Sequence, residues 1–244
     1  MTSETVPPNV VKNTSPRSIA RMIAVLTLLT ILGGIFAQGY VSERLINWRD
    51  AAATGANILA HRNLYLSGLA VYLVEMACSV ATVALSYVLL KPAGRSLSLT
   101  AAYLGLTACI IKTMGRVFFA APLYVLGATH RLQTLRPETL SDLSLILLLV
   151  NDHAAGIALS FFGFQSLVLG VLILRSTFLP RILGVVSILG GIGWLAHLWP
   201  PLGYKLEGYL LSVALLGTAV TTFWFLVFGV NERRWYEQAG ENQL

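Results

Sequence analysis

Charged side chains are scarce: Asp, Glu, Lys and Arg make up 11% of the 244 residues. Soluble domains carry about 25%, so a water-facing surface of ordinary composition is excluded for most of this chain. Cysteine is nearly absent, and Cys78 and Cys109 both fall in apolar sequence where free thiols act as small hydrophobes. The chain has four histidines but no His-x3-His or His-Glu-x2-His spacing, so the usual zinc signatures are missing. Basic residues exceed acidic ones, 17 to 11, yet they are scattered over short loops and form no patch for DNA or RNA. The pairs Gly33-Gly34 and Gly190-Gly191 follow no strand and therefore read as packing or kink sites, not phosphate loops. No internal repeat is visible, so the inverted halves of many transporters have no counterpart here.

What is present is apolar sequence, with 56% hydrophobic residues and a mean hydropathy of +0.72. These values place the chain among multi-span membrane proteins. Apolar runs near the length of a bilayer crossing lie at 20–41, 64–90, 97–121, 154–174, 181–199 and 207–230. The expected fold is an all-α polytopic bundle of six transmembrane helices with short amphipathic helices on the outer surface. Its domain plan is a disordered cytoplasmic tail at 1–16, a membrane domain at 17–231 and a second cytoplasmic tail at 232–244. The run from Met22 to Ala37 exceeds a signal-peptide core and lacks a clear cleavage site, so it reads as a retained first span.

Lys and Arg distribution sets the expected orientation. Lys12, Arg17, Arg21, Lys91, Arg95, Arg175, Arg181, Arg233 and Arg234 fall on one side, mostly in very short loops, whereas Arg44, Arg49, Arg62, Arg131, Arg136 and Lys205 are diluted over longer loops on the other. The positive-inside rule then puts both termini in the cytoplasm. Tyr40, Trp48, Trp199 and Tyr204 would anchor the outer interface, with Trp235 and Tyr236 at the inner one.

Two outer connections carry helical signals. Leu45, Trp48, Ala52, Ala56 and Leu59 recur at three and four, and Asp50 can cap the helix that follows. Pro137, with Glu138 and Asp142 behind it, starts a second helix running into the apolar residues 143–150. Continued to Leu174 it would be roughly 55 Å long, beyond a bilayer core of roughly 30 Å. The helix must therefore break, tilt strongly or begin outside the bilayer, and a break is expected at Asn151–Gly156, where Asn151 could cap the next helix.

Helical spacing also reveals polar stripes. Gly68, Tyr72, Glu75, Ser79, Thr82 and Ser86 share one face of the second span, while Ala101, Gly105, Ala108, Cys109, Lys112 and Arg116 share one face of the third. His153, Gly156, Ser160, Gly163, Ser166 and Gly170 follow on the fourth, and Gly190, Gly193 and His197 on the fifth. Small residues on such faces let helix backbones approach closely in lipid. By depth, Glu75 falls near the midplane and Lys112 and Arg116 outward of it, with Asp152, His153 and His197 at the outer end. A charge at the bilayer centre costs about 3 kcal/mol on insertion scales, so four unpaired ones would cost about 10 kcal/mol. Glu75 is therefore expected to face Lys112, with Arg116 near Asp152 and the two thiols close together. The asymmetry suggests a cavity open to the outside and closed below by apolar packing.

Several motifs resemble a known family as a set. They are the run Asp50–Ala60, the Asp152-His153 pair with Phe161-Phe162-Gly163, and Leu179-Pro180-Arg181-Ile182-Leu183-Gly184 followed by Gly191 and Gly193-Trp194. Together they resemble the bacterial membrane-protein family catalogued as domain of unknown function 4386, over about residues 17–231. The resemblance implies a bacterial multi-pass helical membrane protein, hence one of the inner membrane, and brings no established activity.

Three functional readings stand. The first is an outward pocket lined by Glu75, Lys112, Arg116, Asp152, His153 and His197, holding a small polar or amphiphilic ligand whose anionic head meets Lys112 and Arg116. The second is a non-catalytic interaction subunit in which the charges are internal glue and a protein partner docks on the surface helices. The third is an intramembrane enzyme using His153 and Asp152, although neighbours on a helix point about 100° apart and form no ready dyad. No cofactor or metal is implied, and the bilayer is the one certain partner.

Overall fold

The computed structural model describes residues 15–127 and 136–241. Lys12, Arg131 and the expected tail up to residue 14 lie outside the described residues, as do the side chains of Tyr204 and Glu207. Every regular element among the described residues is helical. The order is α1 (Pro16–Gly34), a π-helical segment (Ile35–Ser42), α2 (Glu43–Leu45), α3 (Ala51–Ala60), α4 (Arg62–Leu90), a 3-10 turn (Lys91–Ala93) and α5 (Arg95–Gly127). Then come α6 (Pro137–Arg175), α7 (Arg181–Leu195), a second 3-10 turn (Ala196–Leu198), α8 (Pro200–Val227) and α9 (Glu232–Glu241).

Five of these stretches are long and apolar enough to cross a bilayer: Pro16–Leu45, Arg62–Ala93, Arg95–Gly127, Pro137–Arg175 and Arg181–Leu198. A sixth is added if Ser212–Val227 and Glu232–Gly240, bent by 99°, count together. The long helices close a ring, α1 beside α4, then α5, α6, α7, α8 and back to α1. Large apolar side chains cover its outside, Val74 (61% exposed) and Ile110 (63% exposed) among them, as a surface in contact with acyl chains requires. The fold is therefore an all-α multi-pass helical bundle.

Its interior is layered. One apolar cluster, with Ile19, Ile23, Leu89, Leu172, Phe178 and Phe225, fills the end that carries Arg17 and α9. A second, with Val41, Ile58, Tyr65, Phe119, Leu140 and Leu148, fills the opposite end. Between them, α4 presents Glu75 to Ser86, α5 Gly105 to Arg116, and α6 Asn151 to Gly170. The polar stripes thus lie between two apolar clusters, and toward α3 Tyr65 and Phe119 stack with ring centroids 4.5 Å apart.

Glycine sets the tightest helix contact. A side chain on Gly170 would meet the Gly184 carbonyl oxygen at 2.8 Å, and one on Gly163 would meet that of Gly191 at 2.9 Å. These two pairs, one at each end of the crossing, allow α6 and α7 to touch backbone to backbone, where dispersion contacts replace the missing hydrophobic force. The stripe seen in the sequence is therefore a packing surface.

Asp50 caps α3 as expected, its Oδ1 accepting from the Ala53 amide at 2.8 Å. Thr54, Gly55 and Ile58 are buried, while Ala52, Ala56 and Leu59 are exposed. Gly55 lies against Ser141 of α6 and Leu126 of α5, so small residues face protein and the apolar stripe faces outward, the pattern of a lipid-exposed surface. In α6, Pro137 begins the helix as expected, yet 39 residues run to Arg175 without a break. There is no joint at Asn151–Gly156, and Asn151 caps nothing.

The first span holds a feature the sequence does not announce. From Ile35 to Ser42 the backbone is π-helical, a wider winding often found at functional sites. Ser42 supports it by donating from Oγ to the Ala37 carbonyl at 3.0 Å.

Candidate functional site

Four elements converge on the polar layer. Lys112 of α5 donates from Nζ to Glu75 Oε1 of α4 at 2.6 Å, so the expected pair is formed. Glu75 is buried, whereas the Lys112 side chain keeps 16% of its surface, making it the edge through which the layer reaches the bundle exterior. One helical turn further along α5, Arg116 is 4% exposed. Its Nη1 donates to Asn151 Oδ1 at 3.0 Å, and its Cζ lies 3.5 Å from the centroid of the Tyr72 ring. A desolvated guanidinium over an aromatic face gains about 2 kcal/mol from the ring quadrupole.

The expected pairing of Arg116 with Asp152 is not formed: among the described residues no Arg116–Asp152 ion pair lies within salt-bridge distance. Asn151, one residue earlier on α6, is rotated about 100° and is the side chain that faces Arg116. Asp152 is only half-buried and lies within electrostatic reach of His153, Arg116 and His197.

Tyr72 ties this layer to the π-helical segment. Its hydroxyl donates to Gln38 Oε1 at 2.6 Å and lies 3.4 Å from Ser42 Oγ, while Phe119 meets its ring edge-on at 5.2 Å. Beside it, Tyr65 donates to the Phe119 carbonyl at 2.5 Å. The wider winding places Gln38 and Ser42 on the same side as Tyr72, so a polar chain runs Gln38, Tyr72, Arg116, Asn151 across the bundle. Further toward the other end, Gln165 lies against Gly105, whose lack of a side chain leaves room for its amide.

The histidines stand apart. His153 is exposed on α6, its Nδ1 engaged with the Leu149 carbonyl at 2.8 Å. His197 sits in the 3-10 turn after α7, with Nδ1 3.2 Å from the Trp194 carbonyl oxygen and its ring edge near Gly156. Among the described residues no three His, Cys, Asp or Glu side chains converge as a metal site requires. The six candidate residues therefore divide into an interior group, Glu75, Lys112 and Arg116, and a group nearer the α3 end, Asp152 and His197, with His153 turned outward.

Three buried polar atoms in or beside the layer have no hydrogen-bond partner among the described residues: Glu75 Oε2, Thr82 Oγ1 and Arg116 Nε. Native interiors leave few such atoms, and leaving one unpaired costs about 1–3 kcal/mol, more when it is charged. Sequence reasoning passed over Gln38, Ser42, Tyr65 and Gln165. A lone amide in the apolar first span was the available signal for Gln38, and a second in the fourth span for Gln165.

A closed ring of apolar helices around a buried ionic layer defines a multi-pass helical membrane protein. The chain matches the family described as Domain of unknown function (DUF4386) over residues 22–229, and it belongs to that family. No curated protein and no solved structure matches it.

Proposed function

We propose that this protein binds a small amphiphile with an anionic head in the Glu75–Lys112–Arg116 layer, lodged in the inner membrane of a bacterium with both termini in the cytoplasm. The observation carrying this reading is the unused donor of Arg116 Nε inside the bundle. Arg116 contacts a neutral amide and a ring, and among the described residues no carboxylate lies within salt-bridge distance of it, while Glu75 and Asp152 act on it only across a gap. An anionic head would supply the missing acceptor in direct contact with the guanidinium, and the partly exposed Lys112 marks a lateral route for its apolar tail. Intramembrane ionisable residues are by default functional candidates.

The test uses purified protein in a neutral detergent with decyl phosphate, decyltrimethylammonium or decanol as probes. Decyl phosphate should raise the melting temperature above the other two, and Arg116→Gln, which removes the buried guanidinium and its unused donor, should abolish that difference. An equal response to all three probes, or an unchanged response in Arg116→Gln, refutes the reading.

A second reading is favoured by the 2.6 Å Glu75–Lys112 contact itself: the charges hold the helices together in a non-catalytic subunit whose partner meets the surface around α3. That reading expects no probe response in the wild type. An enzymatic role for His153 and Asp152 has the least support, since His153 Nδ1 is engaged by a backbone carbonyl.

A further inference from the structure

A cavity of about 490 Å³ lies at the end of the bundle opposite α3, far from the ionic layer. Its floor includes Phe178, Trp224 and Phe228, and its rim includes Arg17 and Arg234. Three helix N-termini border it: Pro16–Arg17 of α1, Pro180 ahead of α7, and Glu232 at the start of α9. A helix N-terminus carries roughly half a positive charge and favours anions. Arginine is therefore disfavoured there by the helix dipole, yet Arg17 stands in the first turn of α1 and Arg234 in that of α9.

The local backbone is built around this arrangement. Gly229 ends α8 with φ +67°, and a side chain there would strike the stem of Arg17 at 2.8 Å. The left-handed turn therefore both redirects the chain into α9 and gives the Arg17 stem a bed, leaving its guanidinium at the rim. Arg234 is held by donating from Nη1 to the Thr177 carbonyl at 3.4 Å. Glu232 Oε1 accepts from the Arg17 amide at 3.4 Å and is the one carboxylate on the rim.

We infer that this cavity is a binding site for an anionic phospholipid of the surrounding leaflet. The phosphodiester would sit between Arg17 and Arg234, in the field of the three helix ends, and an acyl chain would lie on Phe178, Trp224 and Phe228. The exposed ring of Phe228 lines the same cavity as Arg17 and Arg234, bringing apolar and charged surfaces together as an interfacial lipid requires. The site is independent of the Glu75–Lys112–Arg116 layer.

The test is native mass spectrometry of the full-length protein equilibrated with equal amounts of phosphatidylglycerol and phosphatidylcholine. Wild type should retain phosphatidylglycerol in preference by about tenfold, the order expected from two arginines near one phosphate. Arg17→Gln/Arg234→Gln should lose the preference, while Arg21→Gln/Arg233→Gln, an equal charge change outside the cavity, should keep it. Glu232→Gln, which retains both arginines and removes the competing carboxylate, should strengthen it and serves if the first variant fails to fold. No preference in the wild type, equal loss in both arginine pairs, no gain with Glu232→Gln, or displacement by millimolar glycerol phosphate would each overturn the inference.

Discussion

Replacing Lys112 by methionine removes the one salt bridge that Glu75 makes among the described residues. The carboxylate then remains at 4% exposure with neither oxygen paired, since Oε2 has no partner even in the wild type. Breaking a buried pair in this way costs about 3–5 kcal/mol. The reverse change, Glu75→Gln, is milder at about 2 kcal/mol, because the partly exposed Lys112 can turn its ammonium toward the bundle surface along an apolar stem. For a chain of this size each kcal/mol moves the melting temperature by about 2–4 °C. Lys112→Met should therefore melt roughly 6–20 °C lower, and Glu75→Gln roughly 4–8 °C lower.

The double variant decides the matter. Glu75→Gln/Lys112→Met leaves a neutral amide beside a thioether and should recover about 1–3 kcal/mol relative to the sum of the single losses. Scanning fluorimetry of the purified variants in one detergent reads all four corners of the cycle. Losses that add to within about 0.5 kcal/mol would show that the two side chains do not interact, and the ionic layer would lose its central contact.

Two other substitutions probe the packing and the cation over Tyr72. Gly170→Ala would set a methyl against the Gly184 carbonyl at 2.8 Å and should destabilise by about 1–3 kcal/mol through overpacking, whereas Gly34→Ala, with nothing within 4 Å, should stabilise by about 0.5–1 kcal/mol through helix propensity; a reversed order in thermal melts would contradict the α6–α7 contact. Arg116→Lys keeps the charge but cannot both stack on Tyr72 and reach Asn151, so it should melt lower by about 1–3 kcal/mol; equal stability would mean that only the charge matters.

Helical period revealed which faces turn inward on α4 and α5, because small and polar residues recur there while Leu73 and Val80 point away. The Glu75–Lys112 contact followed from those faces and from the energetic need to pair a charge in hydrocarbon. Period does not supply the rotation of one helix against another, which is why Arg116 met Asn151 and not its neighbour Asp152. At α3 it reveals the helix and its cap but not the packing side, where Thr54, Gly55 and Ile58 make the contact and Ala52, Ala56 and Leu59 face out. The uninterrupted run of α6 was hidden by its own length, since a 39-residue helix exceeds a membrane crossing. The π-helical winding at Ile35–Ser42 has no periodic signature at all, and with it went the Gln38–Tyr72 contact.

The length of α6 has a practical corollary. At 1.5 Å per residue its 39 residues extend about 58 Å, and even a helix leaning by about 40° needs only about 39 Å to traverse a core roughly 30 Å thick. About 20 Å of rod must then stand clear of the hydrocarbon, braced along one side by α3. Such a stiff mast on an otherwise featureless disc is a natural handle for an antibody fragment, giving small-particle imaging a fixed landmark from which to orient the rest.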